Sequence, residues 1–265
     1  MTDSGTRESK PLPGAAFTPS LDQVQGRYRV RFAKTEADLE DVQRLRFEVF
    51  NLELGEGLDE SYETGLDVDR FDLQCQHLMV IEEATGRTVG TYRLQVSESA
   101  EKGQGFYTAS EFDLSKMPEE IRSNSIELGR ACVHVDHRET KVLFLLWRGL
   151  AAYVLWNGKR YFFGCSSLTS QDPDEGLRTY VYLRDREQVR DDFEVPPLDA
   201  YRCEGEVPPQ AGEVKIPTLF GIYLRYGAKA CGPPAIDRQF KTIDFLTLLD
   251  VHQVDPKTFQ NFAGI

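Results

Sequence analysis

The chain has no apolar leader, no long unbroken hydrophobic run and no excess of positive charge. Residues 1–20 lack the apolar core of a secretory signal, so a cytosolic location is expected. The longest apolar run, Val142 to Trp156, is interrupted by Arg148 and Gly149. It falls short of the roughly 20 residues that span a bilayer and reads as a buried helix. Any membrane contact is expected to be peripheral, on the inner face. The formal net charge of −12 excludes a general nucleic-acid binder, which needs a basic footprint. Five scattered cysteines (Cys75, Cys132, Cys165, Cys203 and Cys231) suit free thiols better than a disulfide framework.

Several chemical signatures are also missing. Without Gly-x-Gly-x-x-Gly or a Walker sequence, a dinucleotide or P-loop fold is not expected. Without Gly-x-Ser-x-Gly there is no hydrolase elbow. No His is followed five positions on by Asp, so the motif of phosphate-ester acyltransferases is absent. Cys132, His134 and His137 are metal-binding residue types, but no fourth ligand is evident and no metal is expected. Cys165 lies in an apolar run with no basic neighbour, which argues against a thiol nucleophile. His77 opens a strand and reads as structural.

What is present is one ordinary globular domain: 265 residues, 40% hydrophobic and 28% charged, enough to bury a sizeable core. Residues 1–26, rich in Pro, Gly, Ser and Thr, predict a disordered tail, and 27–265 a single domain. Tyr28 to Phe32 alternates as a strand does. Thr35 with Asp38 marks a helix start, and Leu39, Val42, Leu45, Val49 and Phe50 give that helix one apolar face. An acidic loop runs from Glu53 to Asp72. His77–Ile81 and Val89–Leu94 predict a hairpin around Gly86. Further strands are expected at 126–134, 161–165 and 245–250, and helices at 142–156, 177–189 and 219–226. The order implies a mixed α/β domain with a central sheet flanked by helices.

Ile126-Glu127-Leu128-Gly129-Arg130-Ala131-Cys132-Val133-His134 is the most informative stretch. It sets a carboxylate and a guanidinium inside an apolar, extended run, where unpaired charge is costly. In a regular strand the two, three apart, point to opposite faces.

These stretches, in this order, resemble the GNAT (acyl-CoA N-acyltransferase) fold. More closely, they resemble its branch of ornithine-acyl-carrier-protein N-acyltransferases, N-acyl amino acid synthases and hemolysin-like proteins. The resemblance runs from Tyr28 to Leu249. It is carried by Leu45-Arg46-Phe47-Glu48-Val49-Phe50, Asp67-Val68-Asp69-Arg70-Phe71-Asp72, Cys75-Gln76-His77-Leu78 and Val89-Gly90-Thr91-Tyr92-Arg93-Leu94. Gly105-Phe106-Tyr107, Glu127-Leu128-Gly129-Arg130, Leu146-Trp147-Arg148-Gly149 and Phe163-Gly164-Cys165 continue it. Acyl-homoserine lactone synthases are a more distant likeness. Their functional pattern would fall on Arg46, Phe50, Asp69, Asp72, Arg93, Glu127 and Arg130. Their tryptophan after the first helix is missing here, which implies a different acceptor pocket.

The resemblance implies attack of an amino-acid α-amine on a fatty acyl thioester, yielding an N-acyl amino acid or the lyso-form of an aminolipid. Glu127 is the candidate base, taking the amine proton directly or through water. A backbone N–H near Cys132 or Val133 is the candidate oxyanion donor. Asp69 and Asp72 either bind the acceptor's ammonium groups or organise their loop against Arg46. Arg93 and Arg130 either hold its carboxylate or pair with Glu127, Asp69 and Asp72. The acyl chain is expected between the splayed fourth and fifth strands of the fold, near Val133, Phe144, Trp147, Phe162 and Phe163.

No bound cofactor is expected; the thioester, on acyl carrier protein or CoA, is a co-substrate. The segment from His134 to Lys141 has no glycine to cradle a pyrophosphate. That favours a carrier-protein donor, met by Arg138, Lys141 and the arginines at 178, 184, 186 and 190. Those four arginines fit a solvated helix face equally well. If the acceptor is ornithine, its second cation needs a site, and the acidic loop from Glu53 to Asp72 is the candidate. The alternatives are a non-catalytic acyl or acyl-carrier-protein binding module, and a lactone synthase using S-adenosylmethionine.

Overall fold

The computed structural model describes residues 9–138 and 140–264. Nine strands are present among them: β1 (Asp22–Gln25), β2 (Tyr28–Phe32), β3 (Gln76–Glu82), β4 (Thr88–Val96), β5 (Ser125–Val133), β6 (Tyr161–Leu168), β7 (Lys229–Ala230), β8 (Ala235–Asp237) and β9 (Thr242–Asp250). They form one sheet in the order β1-β2-β3-β4-β5-β6-β9-β7, with β8 also pairing β9. Every contact is antiparallel except β5 with β6. The extra strand β1 makes β5 the fourth strand of the fold inferred from sequence, and β6 the fifth.

Helix α1 (Glu36–Phe47) starts where Thr35 and Asp38 predict. The Thr35 hydroxyl accepts from Asp38 N at 3.2 Å, and Asp38 Oδ2 accepts from Thr35 N at 3.2 Å. The helix then widens into a π-helical turn, Glu48–Glu53. This turn accommodates one more residue per hydrogen bond, with Leu54 N donating to Val49 O.

Helix α2 (Thr140–Asn157) is the crossover between the two parallel strands. Val142, Leu145, Leu146, Leu150 and Val154 recur every three or four residues and are all buried. They pack on Leu78, Val80, Tyr92, Leu94 and Ile126 of the sheet. Gly149, which breaks the apolar run, lies where a Cβ would fall 2.3 Å from Leu78 Cδ2. No described helix is long and apolar enough to cross a membrane. Helices α3 (Pro173–Arg184), α4 (Thr218–Arg225) and α5 (Pro256–Ala263) complete the framework.

Two expectations need correction, and one helix is new. The tail of 1–26 is ordered wherever it is described: Leu12 N donates to Lys34 O at 2.9 Å, Leu21 is buried, and β1 pairs with β2. Residues 1–8 lie outside the described residues. β1 (Asp-Gln-Val-Gln) is exposed at every position, so it carries no alternating pattern to read. The helix expected at 177–189 begins earlier, at Pro173, because Asp172 caps it and Pro173 occupies its first turn. Helix α5 is unanticipated; its Phe262 stacks on Trp147 at 5.5 Å between ring centroids.

Candidate active site

The strands β5 and β6 pair over only three residues, ending at Glu127 opposite Phe163, and then part. At the fork, a Cβ on Gly164 would lie 2.1 Å from the Leu128 carbonyl oxygen. Only glycine lets the two backbones approach so closely. The gap opens into a cavity of about 290 Å³.

On its other edge β5 is bulged. Arg93 pairs with Gly129 and Thr91 with Cys132, so Arg130 and Ala131 both stand opposite Tyr92. Arg130 adopts a left-handed φ of 48°. The extra residue overturns the expectation that Glu127 and Arg130 face opposite ways. Both line the cavity, and Arg130 reaches the same acidic loop as Arg93.

That loop and three arginines form a neutral, water-excluded cluster. Arg46 Nε donates to Asp67 at 2.6 Å and its Nη1 to Asp72 at 2.9 Å. Arg93 Nη1 donates to Asp69 at 2.6 Å and Asp72 at 2.9 Å. Arg130 Nη2 donates to Asp69 at 3.0 Å, and its guanidinium lies between the rings of Phe240 and Tyr107, 4.3 and 4.8 Å from their centroids. Burial opposes the charges of Asp69 and Asp72, but the arginines beside them hold both carboxyls below the usual range. His77 donates from Nε2 to the Asp72 carbonyl at 2.9 Å. Burial pushes it down to about 4, so it is neutral and structural. Arg46, Asp69, Asp72, Arg93 and Arg130 are thus brought together as expected, with their charges met inside the cluster.

Glu127 is held by the loop that crosses it. Its Oε1 accepts from Thr108 N at 2.7 Å and Thr108 Oγ1 at 2.6 Å, and its Oε2 from Tyr107 N at 3.0 Å. Burial raises its pKa, and these bonds offset part of that rise. Among the described residues only the Tyr107 N–H donates to Oε2, which leaves one of its lone-pair directions open.

The remaining expected residues divide. Phe50, Trp147, Phe162 and Phe163 line the cavity. Phe144 does not, packing instead on Phe262. Cys132 and Val133 lie beyond the bulge, paired with Thr91 and Gly90, and do not line it. Arg138 is exposed and paired with Glu53 at 2.6 Å, and Lys141 is exposed. Arg178, Arg184 and Arg190 each meet a nearby aspartate, and Arg186 lies over the Tyr182 ring. Cys165 sits beside Glu111, and burial with that carboxylate pushes its thiol well up, the opposite of a nucleophile.

Sequence reasoning gave no role to Tyr107 and Thr108, which grip Glu127, nor to the carboxylates Glu111, Asp237 and Asp244; Glu56 was reached only as part of the acidic loop. Asp244 carried a usable signal, an acid between Ile243 and Phe245 in an apolar run. Glu111 and Asp237 had none.

The two faces of the fork differ. Glu127, Arg130, Tyr107 and Asp244 make one wall polar. Leu128, Ala131, Trp147, Phe162 and Leu249, on the α2 side, make the other apolar.

Residues 45–148 match the Acetyltransferase (GNAT) domain. The L-ornithine N(alpha)-acyltransferase of Rhizobium meliloti (strain 1021) is 32% identical, over 94% of this chain and 89% of its own length. The chain belongs to that family. The family's protein from Brucella abortus (strain 2308) is 33% identical over 90% of both chains. Among solved structures, the N-acyl amino acid synthase FeeM from uncultured soil microbes superposes with a TM-score of 0.51 at 10% identity, covering 86% of this chain and 94% of its own. At that identity the likeness concerns the fold alone. As a family member with a GNAT domain, the chain is an N-acyltransferase.

Proposed function

We propose that this enzyme moves a long-chain fatty acyl group from an acyl-carrier-protein thioester to the α-amine of L-ornithine. The product would be N-acyl ornithine, a lyso-aminolipid. The observation that carries the reading is the fork, one cavity with a polar wall for an acceptor and an apolar wall for a chain. The relatives' names supply ornithine.

In this scheme the acceptor amine passes its proton to the open position of Glu127 Oε2, directly or through a water. The free amine attacks the thioester carbon. Residues 128–131 of the parted stretch line the cavity whereas Cys132 and Val133 do not, so the backbone N–H groups of 128–131 are the better candidates for oxyanion donors. The tetrahedral adduct collapses with loss of thiolate, which takes up the second proton shed by the acylated nitrogen, while Glu127 returns the first to water. The buried Arg–Asp cluster fixes Arg130 and the bulge, and so the shape of the slot. The glycine-free segment 134–141 supports a carrier protein over CoA as donor.

Purified enzyme supplied with palmitoyl-acyl carrier protein, palmitoyl-CoA and single amino acids, with products read by mass spectrometry, tests the reading. N-palmitoyl ornithine from the carrier protein is the expected product. Acylation by CoA alone would overturn the donor, and no acyl-amino acid from either donor would overturn the function.

A further inference from the structure

The polar wall of the cavity and the residues behind it carry more carboxyl groups than proton transfer requires. Glu127 and Arg130 face Glu56, Ser167, Thr169, Thr242 and Asp244 along that wall. Thr169 Oγ1 donates to Glu56, Ser167 Oγ to Asp244, and Thr242 Oγ1 to Asp244 at 2.9 Å. Behind Asp244 stand Glu111 and Asp237; each of the three offers a carboxylate oxygen within 4.8 Å of the others. Glu111 is 1% exposed, and among the described residues no N–H or hydroxyl donates to its Oε1; its carboxyl meets that of Asp244. Unlike Asp67, Asp69 and Asp72, this group has no ion pair with an arginine among the described residues. The strongest neighbouring charges acting on Glu56, Glu111 and Asp244 are other carboxylates.

Register places the group relative to the reacting atoms. From the Glu127–Phe163 pair, Arg130 lies three residues up β5 (127 to 130), and Ser167 four residues up β6 (163 to 167). Ser167 pairs with Asp244. The bulge and Asp244 therefore stand at similar heights, about 10–13 Å above the fork, on opposite sides of the gap.

We propose that Glu56 and Asp244, backed by Glu111 and Asp237, bind the side-chain ammonium of the acceptor and so restrict the enzyme to diamino acids. The inference rests on the acyl-transfer reading and adds the subsite that reads the acceptor's far end. The hydroxyls of Ser167, Thr169 and Thr242 orient the carboxylates, leaving other lone pairs for a donor with three N–H groups. Burial and mutual repulsion raise Glu111 and Asp244, and burial pushes Glu56 to about 7. An entering ammonium relieves that unfavourable charge. An alkyl side chain would leave the carboxylates unmatched, which is how a buried polar site rejects an isostere.

The test compares L-ornithine with L-norvaline, the same carbon skeleton without the terminal ammonium. The unaltered enzyme is expected to prefer ornithine by at least roughly 100-fold in kcat/KM. Glu56→Gln and Asp244→Asn should each shrink that preference by roughly 10- to 100-fold, chiefly through the KM for ornithine. Equal use of the two acceptors by the unaltered enzyme, which needs no variant to fold, overturns the subsite but leaves acyl transfer standing. So does a preference unchanged in both folded variants. Thermal stabilisation by Ca²⁺ or Mg²⁺ that Asp244→Asn abolishes, with the preference intact, would make this a metal site instead. If no amino acid is acylated, the proposed function fails separately. Calorimetry of ornithine against norvaline then decides the subsite, and equal or absent binding overturns it.

Discussion

Arg46 and Asp67 meet at 2.6 Å with side chains 1% and 0% exposed. A guanidinium so fully withdrawn from water is tolerable only because Asp67 and Asp72 answer it, and they in turn depend on it. Arg46→Met should therefore cost about 3–5 kcal/mol, read as a lower urea midpoint. The same cluster sets the acid limit. Asp69 and Asp72 are held below their usual value of 3.8, so their contribution is complete above about pH 4. It is lost as pH falls below that, and the midpoint should decline there.

Glu56 has the opposite sign. Its folded pKa is about 7 against 4.5 for a free glutamate. The folded state therefore favours the neutral form, and ionisation destabilises it increasingly between pH 4.5 and 7. Glu56→Gln keeps the bond from Thr169 and removes that penalty. The variant should gain up to about 3 kcal/mol over the parent at pH 8 and little at pH 4.5. Denaturant titrations at the two pH values check this.

Thr108 tunes Glu127 without occupying the place of the base. Its hydroxyl bond lowers the Glu127 pKa, against the larger rise due to burial. Thr108→Val should move the acidic limb of the kcat/KM profile to higher pH. An unmoved limb would disconnect Glu127 from the proton transfer.

Gly164→Ala drives a methyl group toward the Leu128 carbonyl, 2.1 Å away before relaxation. Backbone cannot yield as a side-chain tip does, so a loss of about 3 kcal/mol, the upper end for overpacking, is expected in a denaturant melt.

Local chemistry was legible in the sequence. Thr35 with Asp38, and Asn157 before Gly158, mark helix ends through contacts within a few residues. Glu127 stood out because a carboxylate in an apolar strand needs a reason. Asp244 has the same property, but the late strand was read as starting one residue beyond it. The bulge at Arg130 was not legible, since Gly-Arg-Ala looks like ordinary strand and the extra residue appears only in register against β4. The pairing of Asp69 and Asp72 with Arg46, Arg93 and Arg130 was one of two alternatives left open, and the share of Asp67 in it had no signal, because it joins segments 21 to 63 residues apart (46 to 67 and 67 to 130). An acidic loop and a neutralised one have the same sequence. Of the carboxylates of that loop, Glu56 is the one that lines the cavity.

The polar strand β1 bears on how the sheet is ended. It pairs with β2 over four residues, and Arg29 clasps Asp22 across the pair at 2.6 Å. β2 would otherwise end the sheet with open N–H and C=O groups, a template for strand addition by another chain. A short, charged, fully wetted strand closes that edge while offering little to extend. A shortened chain beginning at residue 27 would keep every residue of the cavity and lose this gatekeeper, inviting edge-to-edge self-association.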